Sequence, residues 1–155
     1  LDGHLHGQMV PGLAGPEQTR GLLEGGKAEL RKDLPIDARK RVLYNLARRG
    51  IEFDLLPWQR ERGLPTMAYS PLEQGRRLSG KALDTVAERH GAGPMQVALA
   101  WAMREPDVIA IPKAVNPAHI KANRAAAELR LSDEDLAELD NAFPAPDRKV
   151  PLEVL

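Results

Sequence analysis

The sequence contains no cysteine, and this absence removes several kinds of chemistry at once. Disulfides, thiolate catalysis and zinc–thiolate sites all need that side chain, so none of them is expected, and no metal site is predicted. No apolar run reaches the roughly 18 residues that span a bilayer, and the N-terminus lacks a basic-then-apolar signal pattern. We therefore expect no membrane partner and a cytoplasmic location. The lack of cysteine is compatible with that location.

An excess of one charge is also missing, since Lys+Arg and Asp+Glu both number 22. A balanced chain has no long-range field that attracts polyanions, so nucleic acid is not expected as a partner. Any site for an anion must therefore be built locally from a few residues.

Residues 1–41 differ in amino-acid composition from the rest of the chain. They hold seven of the 13 glycines and the turn-rich stretch GQMVPGLAGPEQ, so we predict an irregular segment there. The chain begins with leucine rather than methionine, which suggests an alternative start, processing or a fragment. Residues 42–155 are regular enough for one domain, and the hydrophobic fraction of 43% is typical of globular proteins.

From residue 42 onward, strand patterns and helix patterns alternate. RVLYNL, LPTMAYSP and DVIAIP are short apolar runs typical of strands, and DVIAIP suits a strand whose sheet has helices on both faces or is ringed by them as a barrel. Ile51, Leu55 and Trp58 have helical spacing, which predicts one buried helix face. The alternation predicts an α/β fold with a parallel sheet. Helices are predicted over GIEFDLLPWQRERG, SGKALDTVAERHG, GPMQVALAWAMRE, PAHIKAN and LSDEDLAELDNAF.

Capping residues mark several of the predicted helix ends. Ser79 is a plausible cap for the second helix and Gly91 a plausible stop. Asn116 precedes a proline that suits the first helical position. Ser132 with Asp135 three residues later has the spacing of a capping box.

The segment IPKAVNPAHIKAN brings polar groups to the end of the third strand. Lys113 follows the strand, and the helix that starts near Asn116 directs unpaired backbone N–H groups toward the same crevice. His119 and Asn123 are four residues apart, so they share one helix face and could add donors to a phosphate. The pattern fits an anion site, and it also fits a solvated helix face with ordinary polar residues.

MAYSPLEQG leaves a similar choice open. Tyr69 ends the second strand, where α/β proteins bind ligands, and its ring could stack on a flat heterocycle or pack at a barrel rim. The turn that follows offers Ser70, Gln74 and backbone amides to a pyrophosphate, or it is only a loop containing a proline.

In this order, VLYNLARRGIEFDLLPWQRERGLPTMAYSPLEQG, QVALAWAMREPDVIAIPKAVNPAHIKAN and LRLSDEDLAELDNAFPAP resemble the C-terminal part of a bacterial aldo/keto reductase. The resemblance covers residues 42–155. It implies an NADP(H)-dependent oxidoreductase on a (β/α)8 TIM barrel that reduces small aldehydes and ketones. This chain would then hold an incomplete barrel, made of its C-terminal βα units after an irregular N-terminal segment.

The resemblance also implies roles for individual residues. Tyr69 would stack on the nicotinamide, and the turn after it would lie along the diphosphate. Lys113 would lie beside the 2′-phosphate and Asn123 near the adenine. His119 stands where many relatives have arginine, and a neutral imidazole holds a phosphate less firmly than a guanidinium, which weakens the preference for NADP(H) over NAD(H). NAD(H) therefore stays open as the less favoured cofactor. The implied cofactor contacts are Tyr69, Ser70, Leu72, Gln74, Lys113, Ala114, Val115, His119 and Asn123.

The family's proton donor has no counterpart in this sequence. Relatives use a tyrosine assisted by lysine, aspartate and histidine from the first half of the barrel. Both tyrosines of this chain, Tyr44 and Tyr69, fall at other positions of the matched motifs. LDGHLHG resembles the family strand that carries the catalytic histidine, which makes His6 the one candidate catalytic residue.

A closed barrel takes about 250 residues and eight strands, whereas three or four strands are predicted here. Open sheet edges and apolar faces favour self-association. Two further interpretations therefore stay open. One is a truncated, catalytically inactive remnant that at most binds a nucleotide or a partner chain, and the other is an unrelated α/β interaction domain.

Overall fold

A computed structural model of the chain describes residues 40–73 and 78–154. All of them lie within the unit Pro35–Leu155. The predictions that concern residues 1–39, His6 among them, and that for Gln74 fall outside the described residues.

The described part of the chain contains a sheet of three short parallel strands: β1 (Lys40–Leu43), β2 (Thr66–Tyr69) and β3 (Val108–Ala110), in the order β1-β2-β3. Leu43 is paired with Tyr69, and Ala68 with Ala110. Because the strands are parallel and joined by helices, their carboxyl ends lie along a single edge. The three predicted strands are confirmed.

In residues 40–73 and 78–154, a 3-10 helix and five α-helices connect and follow the strands. None of the helices in the described ranges has the length and apolar character that crossing a bilayer requires. The bounds are Gly50–Glu52 for the 3-10 helix, then α1 (Leu55–Glu61), α2 (Lys81–Arg89), α3 (Pro94–Ala102), α4 (Pro117–Ala126) and α5 (Asp133–Ala142).

The core lies between one face of the sheet and the helices. Val42, Ala68 and Val108 are buried on that face and join a cluster that contains Trp101 of α3. On the opposite face Ile109 is 39% exposed. Among the described residues the helices thus form a layer on one side of the sheet, which is the arrangement of helices that ring a barrel.

The predicted face of the first helix is partly wrong. Ile51 is buried, but Trp58 is 45% exposed and its ring lies 4.5 Å from the guanidinium carbon of Arg62. Ile51 belongs to the separate 3-10 helix, so its angular phase does not carry over into α1. The buried positions of α1 are Leu56 and Gln59.

Helix ends follow the sequence closely, with one correction. Asn116 accepts a hydrogen bond from the backbone N–H of Ala118 at 2.8 Å, as predicted. Gly91 has φ 58° just beyond α2, a conformation that favours glycine. Ser79 is not the N-cap of α2. The helix begins at Lys81, so Gly80 occupies the N-cap position, and no side chain caps the helix.

Asp135 connects α5 to α2. As predicted, it forms a capping box, in which its carboxylate accepts from the backbone N–H of Ser132 at 2.8 Å. The same buried carboxylate also contacts Arg89 and lies 2.7 Å from Nε2 of His90. Burial raises the pKa of Asp135, but hydrogen bonds from His90, Ser132 and Arg89 outweigh burial and hold this pKa well below its usual range.

Tyr44 lies in a second polar network, at the end of β1. Its hydroxyl donates to Glu52 at 2.6 Å and accepts from Arg104 at 2.9 Å. The Arg104 guanidinium also lies 3.8 Å from the ring centroid of Trp101, a cation–π contact. Tyr44 is fully buried, and burial is the main cause that raises its pKa well above the usual range.

Candidate functional site

The turn after β2 is held by a side chain from the loop after β1. Asn45 donates from Nδ2 to the carbonyl oxygen of Ser70 at 2.9 Å and to the Glu73 carboxylate at 2.8 Å. The backbone N–H of Glu73 closes the turn by donating to the Ser70 carbonyl at 3.0 Å. Ser70 through Glu73 therefore form a defined turn at the carboxyl edge of the sheet, next to the half-buried Tyr69.

Both ends of this turn have strained backbone. Ser70 has φ 47° and Glu73 has φ 45°, in the left-handed region where residues with a β-carbon are uncommon. Such a conformation costs roughly 1–2 kcal/mol for each residue and persists only where the surroundings impose it.

Glu73 supplies most of that constraint. The residue is 5% exposed, and its carboxylate accepts from Arg48 Nε at 3.1 Å and Nη2 at 3.0 Å as well as from Asn45. Arg48 in turn donates from Nη1 to Glu153 at 2.5 Å. Hydrogen bonds donated to Glu73 and Glu153 raise the pKa of Arg48, so the guanidinium stays charged.

Lys113 lies just beyond β3 at the same edge of the sheet. The Ile111 N–H donates to the Ala68 carbonyl at 3.0 Å, which extends the pairing with β2 beyond Ala110. Lys113 follows two residues later with an exposed side chain, and within residues 40–73 and 78–154 its ammonium makes no ion pair. Neighbouring strands thus bring the predicted residues Tyr69 and Lys113 to one edge.

The start of α4 offers one backbone donor rather than several. Pro117 has no N–H, and the N–H of Ala118 donates to the Asn116 side chain. The N–H of Ile120 donates to the Asn116 carbonyl at 3.1 Å. In the first turn this leaves the N–H of His119, for which the described part of the chain provides no acceptor.

The remaining predicted residues differ in exposure. His119 is exposed, while Asn123, one turn further along α4, is half-buried. Ala114 and Val115 follow Lys113 on the same segment. Ala114 is half-buried, and Val115 is 78% exposed. Leu72 is partly buried, and its side chain packs against the hydrophobic core.

The donors around Lys113 match an anionic ligand of phosphate type. An exposed ammonium, an imidazole and a backbone N–H are groups that bind phosphate oxygens, and Asn123 adds an amide on the same helix face. The described residues contain no group of three side chains suited to a metal ion. These groups therefore have the chemistry that a phosphorylated ligand requires.

Sequence reasoning missed Asn45, Arg48 and Glu73 as residues of this edge. The Asn45–Glu73 and Arg48–Glu73 contacts span 28 and 25 residues along the chain. A short-range sequence pattern does not predict contacts between residues so far apart. The available signal was polar residues directly after β1 and in the turn after β2, because the carboxyl ends of neighbouring parallel strands meet.

Parallel strands joined by helices, with polar groups at the carboxyl ends of the strands, define part of a TIM-barrel-type α/β fold. A sequence model of the Aldo/keto reductase family matches residues 26–143. The chain therefore belongs to the aldo/keto reductase family. The matched range begins before residue 42, where the resemblance of the motifs starts.

Individual relatives agree with the family assignment. Methylglyoxal reductase YeaE of Escherichia coli (strain K12) is 45% identical over 123 residues, which cover 76% of this chain and 43% of that protein. The structure of an aldo/keto reductase from Klebsiella pneumoniae in complex with NADP and acetate superposes with a TM-score of 0.74 at 43% identity, over 76% of this chain and 43% of that one. A Klebsiella pneumoniae aldo-keto reductase in complex with NADPH gives a TM-score of 0.70 at 45% identity, over 74% and 42%. The chain thus spans less than half the length of these relatives.

Proposed function

We propose that this chain forms the cofactor-binding part of an NADP(H)-dependent oxidoreductase that reduces aldehydes or ketones. The observation that carries the proposal is the position of two phosphate-type donors: Lys113 just beyond β3, at the same sheet edge as Tyr69, and His119 in the first turn of α4. Family membership supports it, as do the NADP and NADPH complexes of the two Klebsiella pneumoniae proteins.

Three parts of the carboxyl edge of the sheet are proposed to contact different parts of the cofactor. Tyr69 would lie against the nicotinamide, and the turn that starts at Ser70 would follow the diphosphate with Leu72 contributing backbone. Lys113 would bind the 2′-phosphate, with His119 and Asn123 toward the adenosine. Ala114, Val115 and Gln74 remain predicted neighbours of the cofactor, and His6 remains a predicted catalytic residue.

Bound cofactor would supply hydride, and the substrate's developing alkoxide also needs a proton. Tyr44 is unsuited to give it, because its hydroxyl is buried between Glu52 and Arg104 and its pKa is raised. Tyr69, the second of the two tyrosines in the sequence, is proposed to face the nicotinamide ring. This observation favours a second candidate function, in which this chain by itself binds the cofactor without turnover.

Calorimetric titration tests the binding proposal. We expect Lys113→Ala to weaken NADPH binding about tenfold or more, since a charge-assisted hydrogen bond contributes roughly 1.5–3 kcal/mol. NADH lacks the 2′-phosphate, so its affinity should change little in Lys113→Ala. The wild-type chain should bind NADPH more tightly than NADH. Lys121→Ala is the matched control, because Lys121 is exposed on the same helix but on a different face from His119 and Asn123. Equal losses for Lys113→Ala and Lys121→Ala would contradict the proposal.

Turnover is tested separately with NADPH and methylglyoxal, the substrate named for the 45% identical relative. Oxidation of NADPH is followed by absorbance. We expect binding without measurable oxidation by this chain alone. Sustained oxidation would exclude the binding-only candidate and would show that another group donates the proton.

We also propose self-association through the open sheet. Among the described residues no further strand pairs with β1 or β3, and Ile109 and Ile111 are 39% and 38% exposed on one face. Sedimentation velocity should give a mass that rises with concentration, and a single monomeric species at all concentrations would contradict this.

A further inference from the structure

Asn45 and Arg48 belong to the loop after β1, but their side chains bind the turn after β2. Asn45 donates to the Ser70 carbonyl and to Glu73, and Arg48 binds Glu73 through two nitrogens. All of these contacts converge on a turn whose first and last residues have left-handed backbone. Neither Asn45 nor Arg48 belongs to the cofactor contacts proposed above.

We propose that Asn45 and Arg48 are positioning residues, which hold the turn Ser70–Glu73 in the conformation that receives the cofactor diphosphate. The proposal rests on the proposed function. The left-handed conformations at Ser70 and Glu73 are unfavourable for an isolated turn, so they depend on contacts from outside it. Released from those contacts, the turn would relax, and cofactor binding would have to order it again.

The orientation of the Asn45 amide is fixed by a third contact. Its Oδ1 accepts from the backbone N–H of Ala47 at 2.9 Å, which leaves both hydrogens of Nδ2 for Ser70 and Glu73. Asn45 is fully buried. Aspartate has the same shape and keeps the acceptor for Ala47, but it lacks the donors and brings a second negative charge beside Glu73.

Glu73 receives from both positioning residues and is nearly buried. One carboxylate oxygen accepts from Asn45, and the other accepts from Nε and Nη2 of Arg48. Arg48 also reaches Glu153, whose side chain is 41% exposed. The exposed pair is screened by water, so the buried contact to Glu73 carries the constraint on the turn.

The test compares N45D and R48K with the control E153Q, which leaves every contact to the turn in place. The double variant N45D/E73Q is the rescue, because it removes the added negative charge and restores a donor–acceptor pair between the two side chains. Hydrogen exchange of the peptide spanning 70–73, measured without ligand, reports the order of the turn. Titrations with NADPH and with adenosine 2′,5′-bisphosphate separate the turn from the Lys113 end, because the bisphosphate lacks the diphosphate and nicotinamide.

We expect exchange in the turn to be about tenfold faster in N45D, and NADPH binding about tenfold weaker, as for the loss of about 1.4 kcal/mol. Adenosine 2′,5′-bisphosphate should bind equally to N45D and wild type, a split that general destabilisation would not produce. N45D/E73Q should recover part of the NADPH affinity, and E153Q should change it less than twofold.

Unchanged exchange and unchanged NADPH binding in N45D and R48K would overturn the positioning role while leaving the proposed function intact. Absence of NADPH binding by the wild-type chain would overturn the proposed function, and the cofactor role of the turn with it. If N45D does not fold, as judged by circular dichroism, R48K at its half-buried position carries the same comparison. Equal weakening of both ligands in R48K would also overturn the proposal.

Discussion

Substituting Asp135 by asparagine is expected to loosen the connection between α2 and α5. The side chain of Asp135 is 1% exposed and meets Arg89, His90 and the Ser132 N–H. Asparagine keeps one carbonyl oxygen for the helix cap but loses the charge that binds the two basic side chains. The helices themselves should still form.

The magnitude follows from the exposure of each group. Removing one member of a buried ion pair costs about 3–5 kcal/mol. Here the side chains of Arg89 and His90 are 39% and 22% exposed, so water screens the contacts from one side and the cost should fall below that range. We expect D135N to lower the free energy of unfolding by about 2–3 kcal/mol, or the melting temperature by roughly 8 °C.

The loss should depend on pH in a defined direction. The pKa of Asp135 is lower in the folded chain than the value of about 3.9 expected when unfolded, so its contribution is present above that value. The contribution is lost as pH falls through the folded pKa. Wild type and D135N should therefore differ most near neutral pH, and their stabilities should converge in acid.

Urea unfolding at several pH values, followed by circular dichroism, measures both effects. E128Q is the control, because the pair Arg124–Glu128 spans 2.8 Å but its side chains are 71% and 72% exposed. The control should cost no more than about 0.5 kcal/mol. A D135N cost as small as that of E128Q, or one that does not shrink below pH 4, would refute the reasoning.

Two further substitutions probe the segment between β1 and α1, one at the end of β1 and one in the 3-10 helix. Tyr44→Phe removes the hydroxyl between Glu52 and Arg104 and should cost about 1–2 kcal/mol in urea unfolding. The pKa of Tyr44 is raised in the folded chain, so wild-type stability should fall as pH rises above about 10 and the variant should fall less steeply; parallel slopes would contradict this. Gly50→Ala builds a β-carbon 2.7 Å from Val150 Cγ2, so limited proteolysis should cut the C-terminal segment faster than in wild type, and an unchanged cutting rate would show that the segment does not pack there.

Local chemistry made much of the fold predictable. The Asn116 cap and the Ser132–Asp135 capping box act within three residues, so sequence spacing alone locates the ends of α4 and α5. Helical spacing places Trp58 on the wrong face, because a two-residue break between the 3-10 helix and α1 shifts the angular phase and periodicity cannot detect that break.

The candidate site was predictable only in part. Tyr69 and Lys113 come at or just after the ends of predicted strands, which predicts that they lie at one edge, because parallel strands bring their carboxyl ends together. The turn after Tyr69 is held by the contact between Asn45 and Glu73, which are 28 residues apart and meet only through the pairing of β1 with β2. Contacts of that kind follow from register and packing, which spacing along the chain does not encode.

The most direct test of the central claim is diffraction from crystals of this chain grown with NADPH. The account predicts the 2′-phosphate within hydrogen-bond distance of Lys113 Nζ, about 2.7–3.2 Å, and the nicotinamide ring against Tyr69. Coenzyme density at another surface, with no coenzyme atom in contact with Lys113 or Tyr69, would contradict it.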